Sequence, residues 1–138
     1  MNWRLIFRLS LLSVPMGFAS VFGFPGSYEW LMWLCIGMFS AWRIALSRRD
    51  ELFLHGLYLG IFDGLFNSAI QAAFLSTYLS NNPRMVEALE TLPQGLHHSL
   101  VILIMGPIVG SISGVFFGLL AVGAGIFVRI RISEQAMK

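Results

Sequence analysis

A row of polar residues inside an apolar stretch is the part of this sequence best suited to chemistry. Asp63, Asn67 and Gln71 follow one another at four-residue intervals, so a helix would place all three on one face. At a rise of about 1.5 Å per residue, Asp63 would lie roughly 16 Å beyond the start of that helix, near mid-membrane. An ionised carboxylate there is costly, so it must be protonated, paired or next to a wet cavity. The row therefore indicates either a proton or cation site or a hydrogen-bond cluster that fixes helix register.

Hydroxyl groups are the partners that the sequence can most easily bring to this row. Arg8 and Arg43 are expected about two helical turns nearer to one membrane surface than Asp63, so an ion pair with either needs a long reach. One carboxylate without a second charged ligand at its depth favours the structural cluster over a transport site. The hydroxyl groups expected to face the row are those of Ser10, Ser13, Ser111 and Ser113.

Other kinds of chemistry find little support in the residues. His97 and His98 are adjacent, so a helix would direct them about 100° apart, and no third ligand follows at a metal-binding spacing. No serine stands in a nucleophile-elbow sequence, and Asp63 is the only aspartate within the apolar stretches. We therefore expect no catalytic residue, no metal and no cofactor. Cys35 is expected to be an inert hydrophobic side chain.

The composition identifies the setting in which these residues act. The chain has 138 residues, of which 57% are hydrophobic and 12% are charged, and its mean hydropathy is +0.75. Soluble domains carry about 25% charged residues, so these values predict a membrane protein. The basic residues flank apolar stretches and form no solvated patch, so the lipid bilayer, and not nucleic acid, is the expected partner.

Four apolar stretches predict an all-α membrane bundle that occupies the whole chain, 1–138, as one domain. Each is close to, or longer than, the roughly 20 residues that a helix needs to cross a bilayer. Pro15 in the first stretch and Pro107 in the last predict kinks. The predicted spans cover about 5–24, 29–47, 52–79 and 99–130.

A short amphipathic helix is predicted between the third and fourth spans. Asn82 stands where an N-cap is expected, and Pro83 suits the first helical position. The helix would lie on the outer membrane surface or cap the bundle, with an ordered loop as the alternative.

The basic residues predict the orientation. Of the 9 Lys and Arg residues, only Arg84 lies between the third and fourth spans. The positive-inside rule then predicts a bacterial inner-membrane protein with both termini in the cytoplasm. The residues on the predicted cytoplasmic side are Arg4, Arg8, Arg43, Arg48, Arg49, Arg129, Arg131 and Lys138.

Two rows of small residues predict which helices pack most closely. Small residues at every fourth position flatten one side of a helix and let another backbone approach. We expect the third and fourth spans to be the tightest pair, with the rows facing each other or the same row of another copy. The first row is Gly56, Gly60, Gly64, Ser68, Ala72 and Ser76, and the second is Gly106, Gly110, Gly114 and Gly118.

Four short segments carry a resemblance that extends over nearly the whole chain. They are Ser47 to Glu51, Asn82-Pro83, Pro107 to Gly110 and Arg129 to Arg131. In this order they resemble a family of small four-span bacterial inner-membrane proteins of unknown function, of a type common in Bacteroidetes. The resemblance implies a four-span bundle and no assigned activity. The small multidrug-resistance transporters also have four short spans, but the glutamate of their first span has no counterpart here.

For function, the small-residue rows favour a non-enzymatic integral membrane protein. It would be an accessory or assembly subunit whose grooves bind helices of its own bundle, a second copy or a partner membrane protein. The alternative is a small proton- or cation-coupled transporter or channel centred on Asp63, oligomeric because four spans enclose little cavity. A third hypothesis is a lipid-binding protein that uses the amphipathic segment.

Overall fold

A computed structural model of the chain describes residues 1–24, 26–47, 50–93 and 95–136. These residues form helices and no strand, so the predicted all-α class is confirmed over them. The helices are α1 (Trp3–Ser10), α2 (Ser13–Val21), α3 (Glu29–Ser47), α4 (Leu52–Ala73), α5 (Leu75–Asn81), α6 (Pro83–Glu90) and α7 (His98–Ala136), with a 3₁₀ turn at Gly26–Tyr28 before α3.

Three segments of the described chain are long and apolar enough to cross a membrane: Trp3–Val21, Gly26–Ser47 and His98–Ile130. The chain is therefore a multi-pass membrane protein. The third predicted span, which contains α4, is not among the three, because its polar row lowers its hydropathy. α4 instead occupies the centre of the bundle, where it contacts α1, α2, α3 and α7.

The first predicted span consists of two helices. α1 and α2 are separated at Leu11 and Leu12. Pro15 explains the break, because proline lacks an N–H and its ring clashes with the carbonyl four residues earlier, that of Leu11. The Leu11 carbonyl instead accepts a shorter-range bond from the N–H of Val14, at 3.2 Å.

The third predicted span, 52–79, is also interrupted. α4 ends at Ala73, and Phe74 has φ −109° and ψ 37° before α5 begins. No glycine or proline marks this position in the sequence. The interruption accompanies two contacts with the end of α2. Asn81 Nδ2 of α5 donates to the Val21 carbonyl at 3.2 Å, and Nδ2 of Asn82, the residue after α5, donates to the Ser20 carbonyl at 3.0 Å.

The last predicted span, by contrast, is one helix that continues past its predicted end. α7 runs from His98 to Ala136 and passes through Pro107 without a break.

Two apolar clusters fill the bundle and define its ends. The cluster at the N-terminal end, where α1 and α4 begin, joins α1, α3, α4 and α7, and the cluster at the α6 end joins α2, α5, α6 and α7. Leu89 of α6 is buried in the second cluster, so the predicted amphipathic segment is a helix that caps the bundle. The first cluster contains Ile6, Leu9, Ala41, Ile44, Leu59, Phe117 and Ala121, and the second contains Val21, Tyr78, Leu89 and Ile102.

Several predictions involve residues outside the described part of the chain. Arg48, Arg49 and Lys138, three of the basic residues behind the predicted orientation, lie there. The orientation inferred from the basic residues rests partly on them and stays a prediction.

Candidate functional site

Asp63 lies on the face of α4 that points into the bundle. It is only 2% exposed, and neither of its carboxylate oxygens has a hydrogen-bond partner within the described structure. One turn away, the Oδ1 atom of Asn67 is also buried and without a partner there. Residues four apart on a helix are neighbours. Three buried oxygen atoms, all able to accept hydrogen bonds, therefore share one face without a hydrogen-bond partner in the described structure.

Gln71, the third residue of the row, is held in a hydrogen-bond network. Its Nε2 donates to Ser20 Oγ of α2 at 3.1 Å, and the hydroxyl group of Tyr78 lies close to the same Ser20 hydroxyl. Asn82 Nδ2 donates to the Ser20 carbonyl at 3.0 Å and to the Tyr78 carbonyl at 2.8 Å. The row therefore begins at Asp63, whose carboxylate oxygens have no partner in the described structure, and ends at Gln71, whose amide is hydrogen-bonded.

The serines expected to face the row bond mainly to their own helices. Ser10 Oγ donates to the Phe7 carbonyl at 2.9 Å, and Ser13 Oγ donates to the Ser10 carbonyl at 2.6 Å. Ser111 Oγ donates to the Pro107 carbonyl at 2.7 Å. A serine in a helix readily reaches a carbonyl three or four residues earlier, and this local bond takes its only proton.

Ser113 is half-buried on α7, and no hydrogen bond joins it to Asp63 in the described structure. The structure therefore brings Asp63, Asn67 and Gln71 together on one face, but brings none of the four predicted hydroxyl groups to Asp63.

The two rows of small residues face each other across the interface between α4 and α7. A Cβ atom added at Gly60 would meet backbone atoms of Gly114 and Gly110. One added at Gly64 would meet the Gly106 carbonyl oxygen and, at 2.8 Å, the Cα atom of Gly110. The backbones touch because neither helix carries side chains along this line.

The same contact continues at both ends of the rows. Gly56 lies against the backbone of Gly118, and Ser68 lies against Gly106. Ala72 is half-buried near the end of α4, and Ser76 falls on α5, beyond the interruption. The facing glycines are thus used within one chain and leave no groove for a second copy or a partner at this interface.

His55 lies in a setting that the sequence did not indicate. It is 1% exposed, and its Nε2 accepts a hydrogen bond from the N–H of Asn2 at 2.9 Å. Its Nδ1 lies 2.8 Å from the Glu51 carbonyl oxygen. Because Nε2 accepts, Nδ1 must carry the proton that reaches this oxygen. The Met1 amine also lies 2.8 Å from Glu51 Oε2, so an ion pair joins the residues that precede α1 and α4.

Ser40 of α3 is another polar residue that the sequence did not indicate. It is fully buried, and its Oγ has no partner among the described residues. The only sequence signal for its burial was its position three residues after Gly37, about one helical turn away. Gly37 itself packs against the Phe117 ring.

The remaining candidates lie apart from this interior. His97 and His98 are exposed, and so is the free Cys35. Across the described ranges, no three His, Cys, Asp or Glu residues are grouped so as to hold a metal ion.

These elements define the class of protein: an all-α membrane protein with three candidate spans around a central helix that carries a buried polar row. No family model matches the chain, and neither a curated protein nor a solved structure matches it. The resemblance to the four-span family of unknown function therefore stays a prediction.

Proposed function

We propose that this protein binds and releases a proton at Asp63 inside the membrane, as a small proton-conducting transporter or channel. The observation that carries the proposal is the burial of both Asp63 carboxylate oxygens without a partner in the described structure. Buried polar groups are nearly always hydrogen-bonded, and intramembrane carboxylates without partners occur mostly at functional positions.

The identity of the missing groups indicates the ligand. The buried side-chain atoms of Asp63 and Asn67 that have no partner in the described structure are three oxygen acceptors. A proton on Asp63 adds a donor among these oxygens, because the acid O–H can reach the Asn67 amide oxygen one turn away. A desolvated monovalent cation coordinated by the same oxygens is the alternative ligand.

A purely structural role is served better elsewhere in the row. Gln71 joins α4 to α2 through its bond to Ser20, which is the interhelical bridge that a register-fixing cluster requires. Asp63 makes no such bridge in the described structure. Its carboxyl group adds a desolvation cost without an observed compensating contact.

The proposed topology has α4 as a fourth span and the N-terminal end of the bundle in the cytoplasm. A central helix can tolerate a polar row because that row faces its neighbouring helices, and not lipid. The distribution of basic residues supports the orientation.

The accessory-subunit hypothesis allows its small-residue grooves to bind helices of the same bundle, and the glycine rows of α4 and α7 do pack on each other. It stays a prediction, and a stoichiometric partner that co-purifies from native membranes would support it. Both functions are non-enzymatic.

Proton flux into vesicles tests the proposal. Purified protein is reconstituted with a pH-sensitive dye inside, and a pH gradient is imposed. The Asp63→Asn variant should retain its circular dichroism spectrum and lose the flux, because an amide cannot change its protonation. Asp50→Asn is the matched control, since Asp50 is exposed, and its flux should equal that of the wild type. Wild-type flux no greater than that of empty vesicles, or flux retained in Asp63→Asn, would overturn the proposal. Flux driven by a sodium or potassium gradient alone would instead assign the site to that cation.

A further inference from the structure

The surroundings of Asp63 differ between the two ends of the bundle. Toward the α6 end, the next residues on its face are polar: Asn67 follows after one turn and Gln71 after two. Gln71 is bonded to Ser20, whose hydroxyl group lies close to that of Tyr78. Polar atoms thus continue from Asp63 to the neighbourhood of α6.

Toward the N-terminal end, the next residue on the same face is Leu59, which is 0% exposed. It belongs to the first apolar cluster, together with Ile6, Ile44 and Phe117 from three other helices. The polar row resumes only at His55, about 12 Å from Asp63 along the helix axis. Both ring nitrogens of His55 are already bonded, to Asn2 and to Glu51.

The charged residues of the neighbouring helices lie on the outside of the bundle or at the ends of the polar route, and Tyr58 of α4 packs against the first apolar cluster. Arg4 and Arg8 of α1 and Arg43 of α3 are exposed on the outside of the bundle. α7 carries no acidic residue, lysine or arginine from His98 to Val128, and α2 carries none at all. Glu29 of α3 interacts electrostatically with Tyr78, at the α6 end of the route.

We infer that Asp63 exchanges its proton with the aqueous phase at the α6 end of the bundle, and that Leu59 closes the route to the N-terminal end. The inference rests on the proposed function. In the exchange, the carboxylate takes a proton from hydronium to give the acid and water, and the reverse step releases it. Amide and hydroxyl groups along the route offer hydrogen bonds to the water that carries the proton, whereas the side chains of Leu59 and the other buried members of its cluster offer none.

Time-resolved infrared spectroscopy of reconstituted protein tests this inference, because a protonated carboxyl group has its own carbonyl stretch. Asp63→Asn identifies the band by removing it. The orientation in the vesicles is fixed by Glu87→Cys on α6 in a Cys35→Ser background, labelled with a membrane-impermeant maleimide. A pH jump is then applied to one side at a time. The band should respond at least about tenfold faster to a jump on the α6 side.

Variants on the two routes sharpen the test. Leu59→Ser should bring the two response rates close together, because it places a hydroxyl group in the apolar layer. Leu54→Ser is the matched control, since Leu54 is an exposed leucine of the same helix, and it should keep the difference. Gln71→Leu should slow the response from the α6 side.

Equal rates from both sides in the wild type, a faster response from the N-terminal side, or no response to either side would overturn the inference. Its failure is distinguishable from failure of the proposed function. If Asp63 responds to pH from the α6 side only and the vesicles show no proton flux, the route is supported and transport is rejected. If the flux depends on Asp63 but the carboxyl band responds equally fast from both sides, transport is supported and the route is rejected.

Discussion

Gly60 is the position where a single added methyl group should reveal how closely α4 and α7 pack. The Cβ atom of Gly60→Ala would meet the N and Cα atoms of Gly114 and the carbonyl oxygen of Gly110. These are backbone atoms, so no side-chain rotation relieves the contact. Gly123 lies further along α7, and a Cβ atom added there would have no neighbouring atom within 4 Å. Gly60→Ala and Gly123→Ala therefore make the same chemical change in a filled and in an open position.

The size of the effect follows from the helix separation. At the neighbouring position, a Cβ at Gly64 would lie 2.8 Å from the Cα atom of Gly110, whereas carbon atoms prefer about 3.5–4.0 Å. The helices must therefore separate locally by roughly 1 Å. Overpacking of this kind costs about 1–3 kcal/mol. The gain in helix propensity from Gly to Ala, about 1 kcal/mol, applies to both variants and cancels in their difference.

We expect Gly60→Ala to unfold with a free energy about 1–3 kcal/mol below that of Gly123→Ala, and Gly123→Ala to be at least as stable as the wild type. The measurement is reversible unfolding in one detergent, followed by circular dichroism. A larger pair extends the comparison: Gly110→Leu should disrupt the fold, whereas Ala69→Leu on the exposed face of α4 should be tolerated. Agreement of the two alanine variants within about 0.5 kcal/mol would refute the close packing.

Three further predictions concern the two ends of the bundle. Asn82→Asp should cost about 1–2 kcal/mol of unfolding free energy, as much as Asn82→Ala, because neither can donate to the Ser20 and Tyr78 carbonyls; an N-cap role would spare the aspartate. His55→Ala should cost about 1–3 kcal/mol and speed hydrogen exchange at the start of α1 but not in α6, because the Asn2 N–H loses its acceptor; unchanged exchange would contradict this. Glu87→Cys should react with an impermeant maleimide from outside intact cells, and labelling only from the cytoplasm would reverse the proposed orientation.

Helix positions could be predicted where local signals are strong. The α3 helix runs from Glu29 to Ser47, as its apolar stretch predicts, and α6 begins at Pro83. The break before Pro15 follows from proline chemistry, although the sequence predicted only a kink. The interruption at Phe74 could not be predicted, because it carries no local signal and coincides with contacts to residues more than fifty positions earlier.

The candidate site, too, could be predicted only where a local pattern determines it. Helical periodicity alone places Asp63, Asn67 and Gln71 on one face. Periodicity does not tell which of them finds a partner: Gln71 meets Ser20, which is 51 residues away in the chain, and Asp63 meets no partner in the described structure. Three of the four hydroxyl groups expected from the sequence to face the row, those of Ser10, Ser13 and Ser111, donate to nearby carbonyls of α1 and α7. Local hydrogen bonds of serine compete with tertiary ones, and a sequence pattern does not reveal the outcome.

The packing rows and the polar row depend on each other. Gly60 and Asp63 are three residues apart, so their faces on α4 differ by about 60°. Backbone contact along the glycine face draws α7 against α4, and this contact helps to exclude lipid and water from Asp63. Separating the two helices by roughly 1 Å would therefore open the side of the polar row as well. On this argument Gly60→Ala should also reduce the difference between the two rates at which Asp63 responds to pH, while Gly123→Ala should leave it unchanged. The glycine rows would then serve the site by sealing it, and need no partner protein to explain their presence.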